Sequence, residues 1–594
     1  MLTIDIRLVI KEEEKLKKPI GRILVYLVAF ITVLVSCSLV SCGKEGTTTT
    51  EVAQATGKPQ YGGTITVALS GHTPNFDTVD FRGAQNDYMY EGLFKINTAI
   101  DPKEWNFGMS FVPDQYLKGN LVETWDMPDS TTIILHVRQG VLWPNKAPVN
   151  GREFTAYDIQ EHFDRVMGKG SYTEPAAMLA QYSSFFASFT ATDKYTVEVK
   201  LVQPNAMAFN TLYGGNTFGW IEAPESVKEG GGKITDWTKA IGTGPWILTD
   251  YKSDTSLTYS KNPTYWGKDD QYPENQLPYA EQLKFLIMPD IALRTAALRS
   301  GQIDMLACGA RDYLNVGSAI EIQQTNPELI TWEYDNGGSG IELRCDKAPF
   351  NDIRIRKALQ SALDLPTIAK TYYYGKIDPT PAGYNNRGYK GWAYLYEDWP
   401  QSLKDEYTYN VDEANKLLKE AGYPNGFSMN LVISNDQDNQ FYQLIQSYLS
   451  KINVTTEYKT VDNFPAMQAY LGSGADYDAS AAGVATQMDP PTVLRERITG
   501  GATNYVFCNS SEMDALYQKY LNAATQTEAA NIVMQADKLC IEQHWAVTTF
   551  GLKVFNFSQP YIGGYSGGAL SFGSTQLCFA KMWMDKDMKA TMGR

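Results

Sequence analysis

The sequence predicts a large folded α/β protein built from several structural units. Segments of strand character and segments of helix character alternate along the whole chain without a fixed repeat, which excludes solenoids and all-α bundles. The 594 residues are 43% hydrophobic and 20% charged, a globular rather than a disordered balance. At roughly 100–200 residues per domain, such a chain holds about three to five domain-sized units.

The elements follow in order. Residues 64–69, TITVAL, alternate and are rich in β-branched side chains, so they predict a strand. A polar turn, 70–75, comes next, and residues 88–94 are expected to form a short helix. Residues 131–137 and 196–201 read as strands. Between them Thr155 is placed to cap a helix, with Asp158 three positions on and Ala156, Ile159, Phe163 and Val166 at helical spacing. Gly242-Thr243-Gly244-Pro245 is a turn into a hairpin of 246–251 and 256–260. Its glycines are expected to supply backbone angles closed to other residues, and Pro245 to fix φ at the start of the strand. A strand at 282–287 and a helix at 291–299 follow.

From residue 351 the texture is more helical. Asp352 is placed to cap a helix carrying Arg354 and Arg356, whose Ile353, Ile355, Ala358, Leu359 and Ala362 share one face. VDEANKLLKEAGY predicts a helix stopped by Gly422 and Pro424. Strands are expected at 428–434 and 454–461, and helices at 441–449, 464–471, 512–522 and 528–542.

The formal net charge is −15, and no long Lys/Arg run is present. An acidic chain lacks the means to neutralise phosphates, so nucleic acid is not an expected partner. Aromatic residues make up 12% of the chain, including 37 Tyr and 12 Trp. That composition fits a large core with β-rich surface, and equally an aromatic-lined cavity.

The N-terminus points out of the cytoplasm. Lys15, Lys17, Lys18 and Arg22 lead into the apolar run 20–40, the pattern of an export signal. The run ends in Leu39-Val40-Ser41-Cys42, which resembles the bacterial lipoprotein signal with Cys42 as the lipidated residue. Leu34-Val35-Ser36-Cys37 fits almost as well, and an uncleaved membrane anchor is the competing reading. Residues 1–41 are expected to be signal and 42–57, Thr-rich and without apolar periodicity, a flexible tether. Beyond the signal stand Cys308, Cys345, Cys508, Cys540 and Cys578, widely spaced and with no CxxC pair. Their odd number leaves at least one thiol unpaired within the chain, and buried free Cys is the expectation for most of them.

No catalytic constellation emerges. The four His are His72, His136, His162 and His544, and Glu161-His162 lacks the second His of a zinc-protease helix. There is no Walker A loop, no G-x-G-x-x-G opening a helix, and no G-x-S-x-G elbow. No enzyme activity, cofactor or metal site is expected.

Several blocks carry a family resemblance instead. They are YGGTITVALSGHTPNFDTVD, YEGLFKIN, LVETWDMPDSTTIILHVRQGVLWPN, EFTAYDIQEHFDRVM, GTGPWILTDYKSDTSLTYSKNPTYWG, ALRSGQID, PFNDIRIRKALQSALD and YNVDEANKLLKEAGYPNGF. Together, and in this order, they resemble the extracytoplasmic solute-binding proteins of ABC importers, the peptide/nickel-binding family (solute-binding family 5). The resemblance implies a type II periplasmic-binding-protein fold, with two lobes, a hinge and an extra subdomain inserted in the first lobe. It places lobe I at 58–97, 237–332 and 548–594, the insert at 98–236 and lobe II at 333–547. It implies a monomer that captures a ligand, an oligopeptide first of all, between closing lobes. The monomer would then deliver that ligand to a permease and ATPase complex at the cell membrane.

Peptide binders of the family pair the peptide's ammonium with a carboxylate near the end of the second lobe. The matching segment is AAGVATQMDPPTVL, 481–494. Gln487 falls where oligopeptide binders carry that Asp, and Asp489 lies two residues on; Val484 stands near the place of a usual Trp. A neutral Gln accepts a hydrogen bond but cannot neutralise an ammonium. Either Asp489 is the ammonium partner, or the ligand lacks a free amine, as an oligosaccharide does. Other solutes, including a nickel chelate, stay open. Gly483 and Val484 offer backbone groups to an extended ligand. Trp246 is a candidate for cleft lining or core, and His72 for the cleft loop. A surface adhesin or interaction protein on the same scaffold is the alternative of a different class.

Overall fold

The computed structural model describes residues 54–594 apart from short segments at 73–74, 80–87, 98–99, 101–103, 105–110, 177–178, 180–182, 214–217, 307–313, 436, 485–488 and 566–574. The apolar run 20–40 and Cys42 lie outside the described residues. Among the described residues no helix is long and apolar enough to cross a membrane.

Strand β1 (Thr64–Leu69) opens the first lobe. Two short strands follow, β2 (Glu91–Gly92) and β3 (Phe94–Ile96), and the inserted region then contributes β4 (Leu117–Gly119), β5 (Val122–Asp129), β6 (Thr132–Val137), β7 (Phe186–Asp193), β8 (Thr196–Leu201) and β9 (Trp220–Ile221). Its main sheet is antiparallel in the order β5-β6-β8-β7. The helix Ala156–Met167 packs on this sheet and turns Ile159, Phe163 and Val166 inward. Its expected cap is present: Thr155 and Asp158 form a reciprocal capping box, satisfying two end N–H groups.

Back in the first lobe come β10 (Trp246–Lys252), β11 (Ser256–Lys261), β12 (Gln282–Ile287) and β13 (Met305–Leu306). A long strand, β14 (Ile330–Leu343), leads into the second lobe, which adds β15 (Phe427–Ser434), β16 (Val454–Val461) and β17 (Ala479–Val484). The chain returns along β18 (Ala546–Ser558) and closes with the short pair β19 (Ile562–Gly563) and β20 (Trp583–Met584).

The two lobes share one ten-stranded sheet, in the order β10-β11-β12-β1-β13-β18-β14-β17-β15-β16. The join is the antiparallel pair β14–β18. Ile330–Asp335 pairs with Lys553–Ser558 on the first-lobe side, and Gly338–Glu342 with residues 546–551 on the second. The ladder slips between Asp335 and Gly338 and again between Gly338 and Gly340. The sequence there, DNGGSG, removes side chains where the paired strands must bend, which is what irregularity in a ladder requires. Gln360 braces the second-lobe side, donating to the Thr548 carbonyl at 3.0 Å and accepting from its N–H at 2.9 Å.

Two expectations are corrected. Residues 88–94 do not form a helix: Glu91 and Gly92 lie in β2 and Phe94 begins β3. Tyr88, Met89, Tyr90, Leu93 and Phe94 are all buried, so the segment is threaded through the interior and has no solvent face for an amphipathic helix. Gly242 and Gly244 are not selected for unusual backbone angles, since neither has positive φ. A Cβ on either would sit 2.1 Å or 2.4 Å from the Met89 carbonyl oxygen, so close backbone approach is what demands glycine there.

Candidate functional site

Strand register shows where the two lobes present their strand ends. β13 sets Met305 opposite Ser558 and Leu306 opposite Phe557, so its carboxyl end points toward the glycine crossing of β14 and β18. β1 runs parallel to β13 and ends the same way. From the other lobe, β17 sets Ala479 opposite Leu343 and Val484 opposite Gly338, so its carboxyl end reaches the crossing itself. Carboxyl strand ends of both lobes therefore converge on the hinge, and in open α/β sheets such ends are where ligands bind.

β17 also offers a free backbone edge. β15 pairs with it only at Leu431↔Ala479 and Val432↔Ser480; past that point the two strands splay. The Gln437 amide reaches the Ala481 carbonyl at 3.3 Å, and among the described residues no strand partner on that side follows for residues 482–484. Gly483 and Val484 lie in this stretch.

The other anticipated residues fall as follows. His72 follows the end of β1; its Nε2 is 2.9 Å from the Tyr251 hydroxyl, and the two rings lie 5.2 Å apart. Its Nδ1 is buried with no hydrogen-bond partner among the described residues. Tyr251 also meets Phe76 edge-on at 5.2 Å and Trp237 at 6.3 Å, an aromatic wall beside the His72 loop. Trp246, the first residue of β10, is 1% exposed and packs in the first-lobe core with Val67, Tyr88 and Leu248. Gln487 lies outside the described residues. Asp489 sits before the short helix Thr492–Arg495 and is already engaged: it accepts from the Thr492 hydroxyl at 2.7 Å and from Arg495 Nη2 at 2.7 and 3.0 Å.

Sequence reasoning missed two buried polar hubs that fix the inserted subdomain to the first lobe. In the first, Glu91 is buried and accepts from Thr243 (2.9 Å), Trp266 (3.1 Å), Asn120 (3.3 Å) and Tyr265 (3.3 Å). Burial pushes its carboxyl above the ordinary value, against the pull of these donors. Three of the conspicuous sequence blocks, YEGLF, GTGP and NPTYW, thus meet at one side chain. In the second, Arg165 bridges Asp77 at 2.6 Å and Glu222 at 2.9 Å. Glu222 also accepts from Thr78 at 2.5 Å and lies 2.7 Å from His162 Nδ1, while His162 Nε2 lies 2.9 Å from the Phe218 carbonyl. Burial alone would raise the Glu222 carboxyl, but His162 and Arg165 outweigh it and hold the group well below the ordinary range.

Among the described residues no group of three His, Cys, Asp or Glu side chains is placed to hold a metal ion. Cys345, Cys508, Cys540 and Cys578 are free thiols. Burial pushes Cys345 up to about 12 and Cys508 and Cys578 up to about 11, which leaves them protonated and unreactive.

This arrangement, two lobes on one hinge with carboxyl strand ends of both converging on it, is that of a two-lobed solute-binding protein. Residues 117–505 match the family described as bacterial extracellular solute-binding proteins, family 5, and the chain belongs to that family. It is 26% identical over 459 residues to heme-binding protein A of Haemophilus influenzae, covering 71% of this chain and 77% of that protein. It is 23% identical over 474 residues to the periplasmic oligopeptide-binding protein OppA of Escherichia coli, covering 75% and 81%. Among solved structures it resembles the periplasmic binding protein DppA of Helicobacter pylori in complex with the peptide STSA. That likeness has a TM-score of 0.67 and 22% identity, covering 89% of this chain and 99% of that one. The substrate-binding protein CtaP of Listeria monocytogenes gives a TM-score of 0.70 at 17% identity, covering 89% and 100%.

Proposed function

We propose that this chain is the ligand-capturing component of an ABC importer and that its ligand is an extended, peptide-like solute held between the lobes. Lobe I is taken as 58–97, 237–332 and 548–594, the insert as 98–236 and lobe II as 333–547. The observation that carries the reading is the edge of β17 beside the hinge, which past Ser480 has no strand partner on the β15 side among the described residues. An extended ligand laid there completes a strand through the backbone of Gly483 and Val484, while closure of the lobes excludes water and strengthens each bond. His72, with its orphaned Nδ1, is the polar contact from the first lobe. A lipid on Cys42, at the head of the tether 42–57, holds the body at the outer face of the membrane for delivery to a permease.

The engagement of Asp489 by Arg495 favours a second reading, in which the ligand carries no free ammonium and Gln487 marks a real change of chemistry. A thermal-shift screen of the purified protein separates the two. The panel is di- to pentapeptides, their N-acetylated forms, oligosaccharides and nickel salts. A ligand at about 100 times its Kd stabilises the native state by about 2.7 kcal/mol. Stabilisation by free peptides that acetylation abolishes supports the ammonium-binding form; equal stabilisation by acetylated peptides supports backbone capture without it. Stabilisation by sugars alone removes the peptide assignment. Loss of membrane association on Cys42→Ser tests the anchor.

A further inference from the structure

The inserted subdomain touches both lobes, but in two different ways. The Glu91 and Arg165 hubs bury its polar connections to the first lobe, so the two move as one body. Among the described residues its contact with the second lobe comes from two adjoining segments. Neighbouring residues there face opposite ways: Val112 and Ala208 lie in the subdomain's own core, whereas Phe111 and Met207 enter the second lobe's apolar cluster. Asn210 ties the segments together by donating to the Val112 carbonyl at 2.6 Å.

Phe111 is 1% exposed and meets Trp392 edge-on at 5.0 Å and Tyr389 at 5.8 Å. Beside it, Asp114 and Gln526 bind reciprocally. The Asp114 N–H donates to the Gln526 side chain at 3.1 Å, and the Gln526 amide donates to the Asp114 carboxylate at 2.7 Å. Gln203 adds a bond to the Leu521 carbonyl at 2.9 Å. A hinge that opens must separate all of these, because they join elements on opposite sides of it.

We infer that Phe111 in its Tyr389–Trp392 socket, with the Asp114–Gln526 pair, is a clasp that holds the inserted subdomain against the second lobe. Its strength sets how much of the ligand-free protein is closed. The inference rests on the lobes opening and closing, as proposed above. These are positioning residues: they act on ligand affinity through the population of the closed state. The clasp also responds to protons. The seam half-buries Asp114 and desolvation pushes its carboxyl up to about 7, opposed only by the Gln526 amide; no charged side chain pairs with it among the described residues. Once the seam opens, the carboxyl returns to an ordinary value of about 4. Closure is therefore penalised increasingly as pH rises from about 4 to about 7, and by a constant amount above that.

Small-angle scattering of the ligand-free full chain tests this without any ligand. Phe111→Ala is expected to shift the ensemble toward a larger radius of gyration, and Phe111→Leu to restore most of the wild-type profile. The wild type should expand between pH 5 and pH 8, and Asp114→Asn, which keeps an acceptor for Gln526, should lose that expansion. Should Phe111→Ala fold poorly, Gln526→Ala serves in its place with the same expected direction. Ligand-free profiles of Phe111→Ala, or of Gln526→Ala, that superimpose on wild type overturn the clasp, as does a pH response that Asp114→Asn leaves undiminished. With a ligand from the screen, Phe111→Ala should raise Kd about tenfold. A screen with no hit instead counts against the proposed ligand and leaves the scattering result to judge the clasp.

Discussion

Arg495 holds both carboxylate oxygens of Asp489 through a single guanidinium nitrogen, at 2.7 and 3.0 Å, and the Thr492 hydroxyl bonds the same carboxylate. Asp489 therefore anchors the start of the Thr492–Arg495 helix. Asp489→Asn is expected to lower stability by about 1 kcal/mol, because the pair is partly solvated. It is expected to change peptide affinity less than threefold. Calorimetric melting and titration with a ligand from the screen check both; a loss beyond tenfold for free peptides alone would restore Asp489 as the ammonium partner.

Glu91 draws four donors into the joint between the inserted subdomain and the first lobe. Glu91→Ala strands those donors in the interior, and about 3–5 kcal/mol of stability should be lost. Glu91→Gln keeps one acceptor oxygen and should be the milder variant. Chemical denaturation ranks them, and equal stability of the Ala variant and wild type would mean that the joint is held by apolar packing alone.

The elements that sequence reveals are those whose pattern is local. The capping box at Thr155 and Asp158, and the Asp352 cap that accepts from Arg354 N–H, stand as expected because each needs only three consecutive positions or so. The strands of 64–69 and 282–287 carry their own alternation and appear as β1 and β12. β14 and β18 do not announce themselves: DNGGSG looks like a loop, and only the partner strand, more than 200 residues away, makes it a bent hinge. The helix expected at 88–94 fails for the same reason, since burial from several sides is invisible in one segment. Of the candidate site, the β17 segment was legible through family resemblance. The spent charge of Asp489 was not, because Arg495 is just another helical cation until its rotamer is seen.

Arg165, Asp77, Glu222 and His162 close a buried network that joins the helix Ala156–Met167 to the first lobe. The folded chain holds the Glu222 carboxyl below its unfolded value. Its contribution is therefore present above the ordinary carboxylate range and lost as pH falls through and below it. Glu222→Gln should be about 3–5 kcal/mol less stable than wild type at pH 7, with the gap narrowing below about pH 4. Denaturant unfolding at pH 7, 5 and 3.5 measures the gap. A constant gap would show that the network stabilises through shape rather than charge.

Asp537 ties down the loop that bears the Tyr389–Trp392 socket. Its Oδ1 accepts from the N–H groups of Tyr384 (2.8 Å) and Asn385 (3.1 Å), and its Oδ2 from that of Tyr394 (2.9 Å). Full burial nevertheless outweighs these donors and pushes the carboxyl up to about 7. A raised carboxyl pKa means that folding is progressively disfavoured as pH climbs from about 4 to about 7, by up to about 1.4 kcal/mol per pH unit, and by a constant amount above. Asp537→Asn removes this titration, so its stability relative to wild type should improve between pH 5 and pH 8. Asp537→Ala leaves three N–H groups without a partner and should be about 3 kcal/mol less stable than Asp537→Asn at every pH. It should also loosen the socket and expand the ligand-free protein in scattering, as Phe111→Ala does. Parallel pH profiles for wild type and Asp537→Asn would mean that the carboxyl stays ionised through this range, held by its three donors.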